Sequence, residues 1–377
     1  MRAHLVYLMS LFETLSYDNK FRAICGLSDY KVKTIVRPEL FGKYVKKNVF
    51  LFKILWNCFI YSWLFLFPFY IIGQFIFVAV TVLFSRKLEI DYSKLFLNFT
   101  PLLKSRVEYA NIEDADALWV TLPFNRRLSD RRNVNILKLA TFKEVCKSFY
   151  YAFSVYPVIL SKFGLSNTFY ILQAFEWFLV FEILNNLSDK LVLYFSNQRD
   201  RWSILIDKTI QKEKILLQHG VENSTDVSSV KLNNITTLYS FNNDEAQSLI
   251  CSCLKCYPKI KYYKSTLNLT SVCTSYDYKI LIIGNSSSFF DLESEIIRIL
   301  KDTAISVLLK PHPVLDKNCY KVFENEVDNF TLLSDDVFPI VDVVVSYKST
   351  LALEYEMSGI EVLYYDETNV IKYLSGL

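Results

Sequence analysis

The 377-residue chain has only eight glycines, nine prolines and three histidines. So little glycine and proline excludes a collagen-like or low-complexity chain and points to a folded, globular one. The formal net charge of +3 excludes nucleic-acid binding through bulk charge. The opening MRAHLVYLMSLF has a short apolar run but lacks the small-residue cleavage site of a secretory signal. Without such a signal, the eight cysteines read as free thiols in a reducing cytoplasm. Cys251, Cys253 and Cys256 lie close together, but a structural zinc site needs four ligands and no nearby histidine completes this one. Neither a metal nor a cofactor is therefore expected. Asn98-Phe99-Thr100 fits a glycosylation triplet, which carries no meaning in a cytoplasmic chain.

Charge is also missing locally. Ile54 to Phe84 has no charged residue, against an apolar content of 52% for the whole chain. As one helix this run would be roughly 46 Å long, longer than a hydrocarbon core of about 30 Å but too short for two full spans. Pro68 sits near its middle, with Lys46, Lys47 and Lys53 before it and Arg86 and Lys87 after it. A proline break with basic flanks on both sides suits a re-entrant or interfacial hairpin whose ends are both cytoplasmic. A single tilted span and a buried helical pair are the alternatives. The aromatic stretch 140–190 has helical spacing and reads mainly as core.

Apolar, β-rich runs follow: Ala117–Pro123, Leu191–Ser196, Lys214–Gly220, Asn234–Phe241, Tyr278–Ile283, Ala304–Leu309, Phe330–Leu333, Val341–Ser346 and Glu361–Tyr365. Helical segments between several of them give the alternation of a parallel α/β sheet. Ligands of such sheets bind beyond the carboxyl ends of the strands. An irregular link, Lys255 to Ser275, separates two such units.

Chemistry-bearing residues gather after the strands. His219 follows one strand, and Asp200 and Arg201 follow another. Arg126 and Arg127 lie in an arginine-rich loop after Pro123, where they suit an anionic ligand or a solvated turn equally. In the second unit Gly284, Asn285 and Ser286 form a small polar loop ahead of a helix, a possible phosphate cradle. Lys310-Pro311-His312-Pro313 is a stiff loop presenting a cation and an imidazole. Ser349 and Thr350 open a helix whose dipole favours an anion, and Glu354 lies one turn on.

Gln218-His219-Gly220, Lys310-Pro311-His312-Pro313 and Ser349-Thr350-x-x-x-Glu354 resemble the GT-B glycosyltransferases of bacterial surface-polysaccharide assembly. Capsule-type transferases, bacterial sialyl- and polysialyltransferases and the CDP-glycerol polymerases of teichoic acid synthesis share parts of this pattern. The resemblance covers roughly residues 190–366. It implies two Rossmann-like domains facing a cleft, expected here at 111–255 for the acceptor and 276–377 for the nucleotide donor. Residues 1–110 would form a separate region with the membrane-associated segment at about 54–84. By the same resemblance Lys310, His312, Ser349 and Thr350 bind the donor phosphates and Glu354 holds the ribose, while the Gly284–Ser286 loop is expected at the same phosphates from its place ahead of a helix. His219 is then the general base, with Asp200 as the alternative, and Arg201, Arg126 and Arg127 bind the acceptor. GT-B enzymes need no divalent metal, and Asp114-Ala115-Asp116 precedes its strand rather than following it as a metal-binding Asp-x-Asp would.

The expected partners are a CMP-, CDP- or UDP-linked sugar, a lipid-linked glycan acceptor and the membrane, with no nucleic acid. The expected location is the cytoplasmic face of the inner membrane. Alternatives on the same fold are a CDP-glycerol-type glycerophosphotransferase, a sugar-nucleotide 2-epimerase and a non-catalytic scaffold.

Overall fold

The computed structural model describes residues 2–24, 49–88, 91–100, 102–124, 133–164, 171–221, 227–264, 267–284, 290–312, 317–334, 336–365 and 370–374. The chain divides into two compact units, Met1–Tyr262 and Tyr263–Leu377.

The first unit opens with helices α1 (Arg2–Ile24) and α2 (Val49–Phe84), then strand β1 (Lys94–Leu97) and helix α3 (Leu103–Tyr109). Strands β2 (Ala117–Thr121) and β3 (Asn133–Asn135) precede α4 (Phe142–Phe163) and α5 (Ala174–Asn186). The rest alternates: β4 (Val192–Phe195), α6 (Arg201–Asp207), β5 (Lys214–Leu217), β6 (Thr237–Ser240), α7 (Asn243–Cys253) and β7 (Lys259–Tyr262). All seven strands are parallel, in the order β3-β2-β1-β4-β5-β6-β7. Inner strands such as β5 are buried along their whole length, as a parallel sheet covered on both faces requires. The edge strand β7 carries Lys259 and Lys261 and is mostly exposed, which blunts the edge against further pairing.

This arrangement corrects two expectations. The region before residue 111 is not separate, because β1 sits in the middle of the sheet between β2 and β4. Helix α1 also belongs to this unit. Its Tyr7 ring packs on Trp177 and Phe178, its His4 Nε2 lies 2.6 Å from Ser154 Oγ, and its Glu13 accepts the Val230 N–H at 2.8 Å.

Helix α2 is the second correction. It is one helix of 36 residues running through Pro68, about 54 Å long at 1.5 Å per residue, and not a hairpin. A proline in mid-helix removes one backbone bond, but residues on both sides of it share one partner. Phe67 stacks on Tyr156 of α4 with ring centroids 4.3 Å apart, and Phe75 meets Phe149 of the same helix at 4.5 Å. Phe67, Ile71 and Val78 are buried, the i, i+4, i+11 spacing of one helix face. The opposite face leaves Phe65, Phe69, Ile72, Ile76, Val80, Leu83 and Phe84 exposed. Helix α4 itself starts at a capping box between Thr141 and Glu144.

The second unit holds β8 (Lys279–Ile283), α8 (Phe290–Ile299), β9 (Ser306–Lys310), α9 (Lys321–Glu326), β10 (Phe330–Leu332), β11 (Val343–Ser346), α10 (Thr350–Met357), β12 (Glu361–Tyr364) and α11 (Val370–Leu374). Its five strands are parallel, in the order β10-β9-β8-β11-β12. Alternate residues of β8 feed two cores. Ile280 and Ile282 pack with Ile296 and Ile297 of α8, whereas Leu281 and Ile283 pack with Ala352 and Tyr355 of α10. Gly359, at φ +80°, takes the left-handed conformation that ends α10.

The two faces of α2 should respond differently to truncation. Phe67→Ala, at a site 1% exposed, should lower unfolding free energy by about 3–5 kcal/mol. Phe69→Ala, at a site 73% exposed, should change it by less than about 0.5 kcal/mol. Denaturation of both variants in detergent micelles checks this; equal losses would contradict the packing on α4.

Candidate functional site

In each sheet the strand order reverses once, between β1 and β4 in the first unit and between β8 and β11 in the second. The carboxyl edge at such a reversal is where open parallel sheets bind ligands.

In the second unit the register sets Ile283 of β8 level with Lys310 of β9 and Ser346 of β11. The next residues form the candidate site. The Gly284 N–H donates to the Lys310 carbonyl at 2.9 Å. A Cβ on Gly284 would lie 3.3 Å from Pro311 Cα and 3.4 Å from the His312 nitrogen, so glycine lets these loops approach closely. Below them the buried Tyr320 hydroxyl donates to the Glu293 carboxylate of α8. On the other side of the reversal Ser349 caps α10 and accepts the Ala352 N–H at 3.2 Å. The start of α10 therefore lies at the switch point, with the positive end of its dipole there.

The sequence-derived donor residues separate on this frame. Gly284, His312, Ser349 and Thr350 all lie at the carboxyl edge, and His312 is exposed. Lys310 does a different job from the expected phosphate contact. Its side chain is buried, and its ammonium donates to the carbonyls of Ser334 and Val337 at 3.0 and 2.7 Å and lies 4.2 Å from the Phe338 ring centroid. It thereby ties down the loop after β10. Glu354, expected to hold the ribose, is buried on α10. Asn285 and Ser286, like Arg126 and Arg127, lie outside the described residues.

In the first unit the reversal is lined by small polar groups. Thr100 Oγ1 after β1 lies 2.8 Å from Ser196 Oγ after β4. Asn98 Nδ2 donates to Asn133 at 3.3 Å. The buried Oδ1 atoms of Asn98 and Asn197 have no hydrogen-bond partner among the described residues. The triplet that reads as a glycosylation motif thus lies at the strand end, with Asn98 and Phe99 buried. Asp200, the alternative base, is the N-cap of α6. One carboxylate oxygen accepts the Trp202 and Ser203 N–H groups at 2.9 Å each, and the other accepts from Asn197. Burial raises its pKa against these bonds. Arg201 lies over the Trp202 ring, 5.1 Å from its centroid, and its charge acts on Glu176 of α5.

His219 follows β5 and is half-buried. Its N–H donates to Gln198 of the neighbouring strand end, and its carbonyl accepts from Arg106 Nη2 at 3.0 Å. Arg106 lies between the Tyr109 and Phe241 rings, 5.1 and 4.9 Å from their centroids. Burial, and secondarily the Arg106 charge, lower the His219 pKa. The ring is therefore neutral near pH 7 and able to take a proton. The preceding Gln218 is fully buried and donates to Glu245 at 3.2 Å, so in Gln-His-Gly the Gln braces the strand end that His219 follows. Sequence reading missed Arg106, because the short β1 before it has no alternating pattern to mark the helix that follows.

Cys253 is buried beside Ser228, and Cys256 contacts the Leu232 and Ile235 carbonyls. No group of three metal-ligating side chains occurs among the described residues. A cavity of about 820 Å³ opens at the amino ends of β1 and β4, beside Lys87, Ser93 and Leu191. That is the wrong edge of the sheet for strand-end chemistry.

No protein-family model matches the chain, and no curated protein sequence does. Among solved structures it is similar to an O-GlcNAc transferase of Thermobaculum terrenum, at 11% identity and a TM-score of 0.33, over 74% of this chain and 54% of that one. It is similar to the wall teichoic acid polymerase TagF, soaked with CDPG, at 11% identity and 0.40, over 86% and 81%. It is also similar to the E. coli heptosyltransferase WaaC with ADP-2-deoxy-2-fluoro heptose, at 10% identity and 0.30, over 71% and 87%. The chain spans about half the length of the first of these. At TM-scores of 0.30 to 0.40 these likenesses carry no argument about chemistry, and the α/β assignment rests on this chain's own parallel sheets.

His219 should titrate with a midpoint below its ordinary 6.5, followed by the ring proton resonances in NMR. Arg106→Met should raise that midpoint but leave it below 6.5, because burial is the larger cause. A folded-state pKa below the unfolded one means that this group's contribution to stability is present above pH 6.5 and is lost as pH falls through it. A midpoint above 6.5 in the unmodified protein would contradict the assigned surroundings of the ring.

Proposed function

We propose that the protein is a glycosyltransferase of GT-B type that moves a sugar from a nucleotide-activated donor to a lipid-linked glycan acceptor in surface-polysaccharide assembly. The observation that carries the reading is the second switch point. Gly284, His312, Ser349 and Thr350, distant in sequence, lie at the carboxyl edge of three neighbouring strands, with the start of α10 among them. Backbone N–H groups at a helix start, an imidazole and a close-approach glycine suit a phosphate-bearing ligand. The resemblance of Gln218-His219-Gly220, Lys310-Pro311-His312-Pro313 and Ser349-Thr350-x-x-x-Glu354 to GT-B enzymes supplies the reaction class.

In this reading the second unit holds the donor nucleotide and the first unit the acceptor. The acceptor hydroxyl oxygen bonds to the anomeric carbon as the bond from that carbon to the nucleotide phosphate breaks. The electron pair leaves with the phosphate, and the hydroxyl proton passes to the neutral His219 ring. Helix starts and N–H groups stabilise the charge that develops on the leaving phosphate. Asp200, committed to capping α6, serves to hold the strand-end loop beside His219. The uncharged outer face of α2 supports a location at the membrane, proposed to be the cytoplasmic face of the inner membrane.

A thermal-shift screen against CMP, CDP, UDP, GDP and dTDP tests the donor site. One nucleotide at 100-fold over its Kd should add about 2.7 kcal/mol of stability. His312→Ala should weaken that nucleotide's binding about tenfold, the effect of losing one contact to a charged group. No shift with any of the five, or unchanged binding in the variant, would overturn the phosphate site. Product mass then separates the reactions, since a product that gains phosphorus is that of a glycerophosphotransferase.

A further inference from the structure

The exposed face of α2 leads into a pocket of about 640 Å³. Gly73, Gln74 and Phe77 of α2 form one wall, Phe124 beyond β2 another, and Glu176 of α5 a third. Because Phe124 lies just past the carboxyl end of β2, the pocket opens at the same edge of the sheet as His219.

Its lining joins apolar side chains to four polar ones, Tyr70, Gln74, Gln173 and Glu176. Gln74 donates through Nε2 to the Tyr70 hydroxyl at 3.0 Å, but its Oε1 is buried with no hydrogen-bond partner among the described residues. A buried acceptor left in this state is rare and marks a missing donor. Glu176 is 8% exposed, and its carboxylate accepts the Phe124 N–H at a long 3.4 Å. Burial raises its pKa, partly opposed by Arg201. Gly73 keeps the wall low, since a Cβ there would meet nothing within 4 Å.

The outer face of α2 identifies the rest of the ligand. Phe65–Phe84 is long and apolar enough to cross a membrane, yet one face of it packs along α4 of the sheet unit. A helix held side-on in this way meets lipid along its length as an interfacial helix does. Arg86 and Lys87, both exposed at its end, suit lipid phosphates.

We propose that this pocket seats the polar–apolar junction of a membrane amphiphile. Hydroxyl groups of its head donate to Gln74 Oε1 and the Glu176 carboxylate, and its hydrocarbon chain follows the outer face of α2 past Ile76, Val80 and Leu83. The proposal deepens the reading of a lipid-linked acceptor and rests on it for what the site is used for. It places the lipid end of that acceptor at the sheet edge that carries His219.

The test is photolabelling of the full chain in lipid nanodiscs with dodecyl glucoside carrying a diazirine on its first chain carbons. Peptide mass spectrometry should find label within residues 69–77 and 172–176, competed by dodecyl glucoside and not by its permethylated form. Gly73→Trp should abolish this label while leaving adventitious label at Leu83 and Phe84. Gln74→Leu, close in size to the native side chain, should lower glucoside competition about tenfold without changing that of the permethylated probe, as expected for one lost hydroxyl contact. Equal competition by the permethylated probe, full pocket labelling in Gly73→Trp, or label confined to the outer face would each overturn the site. Labelling needs neither nucleotide nor turnover. Loss of pocket label with nucleotide binding intact therefore counts against the amphiphile alone, and failure of nucleotide binding counts against the transferase reading alone.

Discussion

The rest of the structure depends on the reversal of strand order within two parallel sheets. A parallel strand buried on both faces must be followed by a helix that crosses to one face or the other. In the second unit the helix after β8 packs on the Ile280 and Ile282 face, and the helix after β11 packs on the Leu281 and Ile283 face. The two connections diverge, which leaves a gap between the helices at the strand ends. Polar groups can occupy that gap without displacing core. Gly284, His312 and Ser349 lie there in one unit, and Thr100, Ser196 and Asn197 in the other.

Buried polar contacts then turn a loose edge into a defined surface. Arg106 reaches from α3 to the His219 carbonyl, and Gln198 receives the His219 N–H. Gln218 joins Ser240 and Glu245 behind them. Each of these groups would be penalised by burial if left alone. Together they hold the ends of β4, β5 and β6 in one arrangement, while burial and then the Arg106 charge lower the His219 pKa. Lys310 shows the same logic in the second unit, where a buried ammonium is satisfied by two carbonyls and an aromatic ring. In both units, charge near the edge is used to fix loops as well as to face a ligand.

Helix α2 adds a different constraint. Its inner stripe has to be covered by α4, because Phe67 and Ile71 would otherwise be as bare as the residues on its outer face. Among the described residues the outer stripe has no such cover. An apolar face of that length is unfavourable in water and matches the interior of a bilayer. The Oε1 of Gln74, without a hydrogen-bond partner among the described residues, is a group that a bilayer would not satisfy by itself.

Most strands of both sheets were legible in the sequence, because β4, β5, β6, β8, β9 and β11 are short apolar runs between polar loops. Those that escaped notice carry polar residues: β1 opens on Lys94, β3 is Asn-Val-Asn, and β7 alternates lysine with Ile260 and Tyr262 at an exposed edge. Missing β1 also hid the reversal at β1/β4 and made the first hundred residues look like a separate region. The sequence by itself determined the α/β class, the uncharged run and the placing of His219, His312 and Ser349 at strand ends, because hydrophobic periodicity and local capping are encoded within a few residues. Only the tertiary structure decided that Lys310 binds loop carbonyls, that Asp200 caps α6, that Arg106 stands behind His219 and that α2 runs unbroken through Pro68. Those outcomes depend on which distant groups meet, and burial settles that only after the strands have paired.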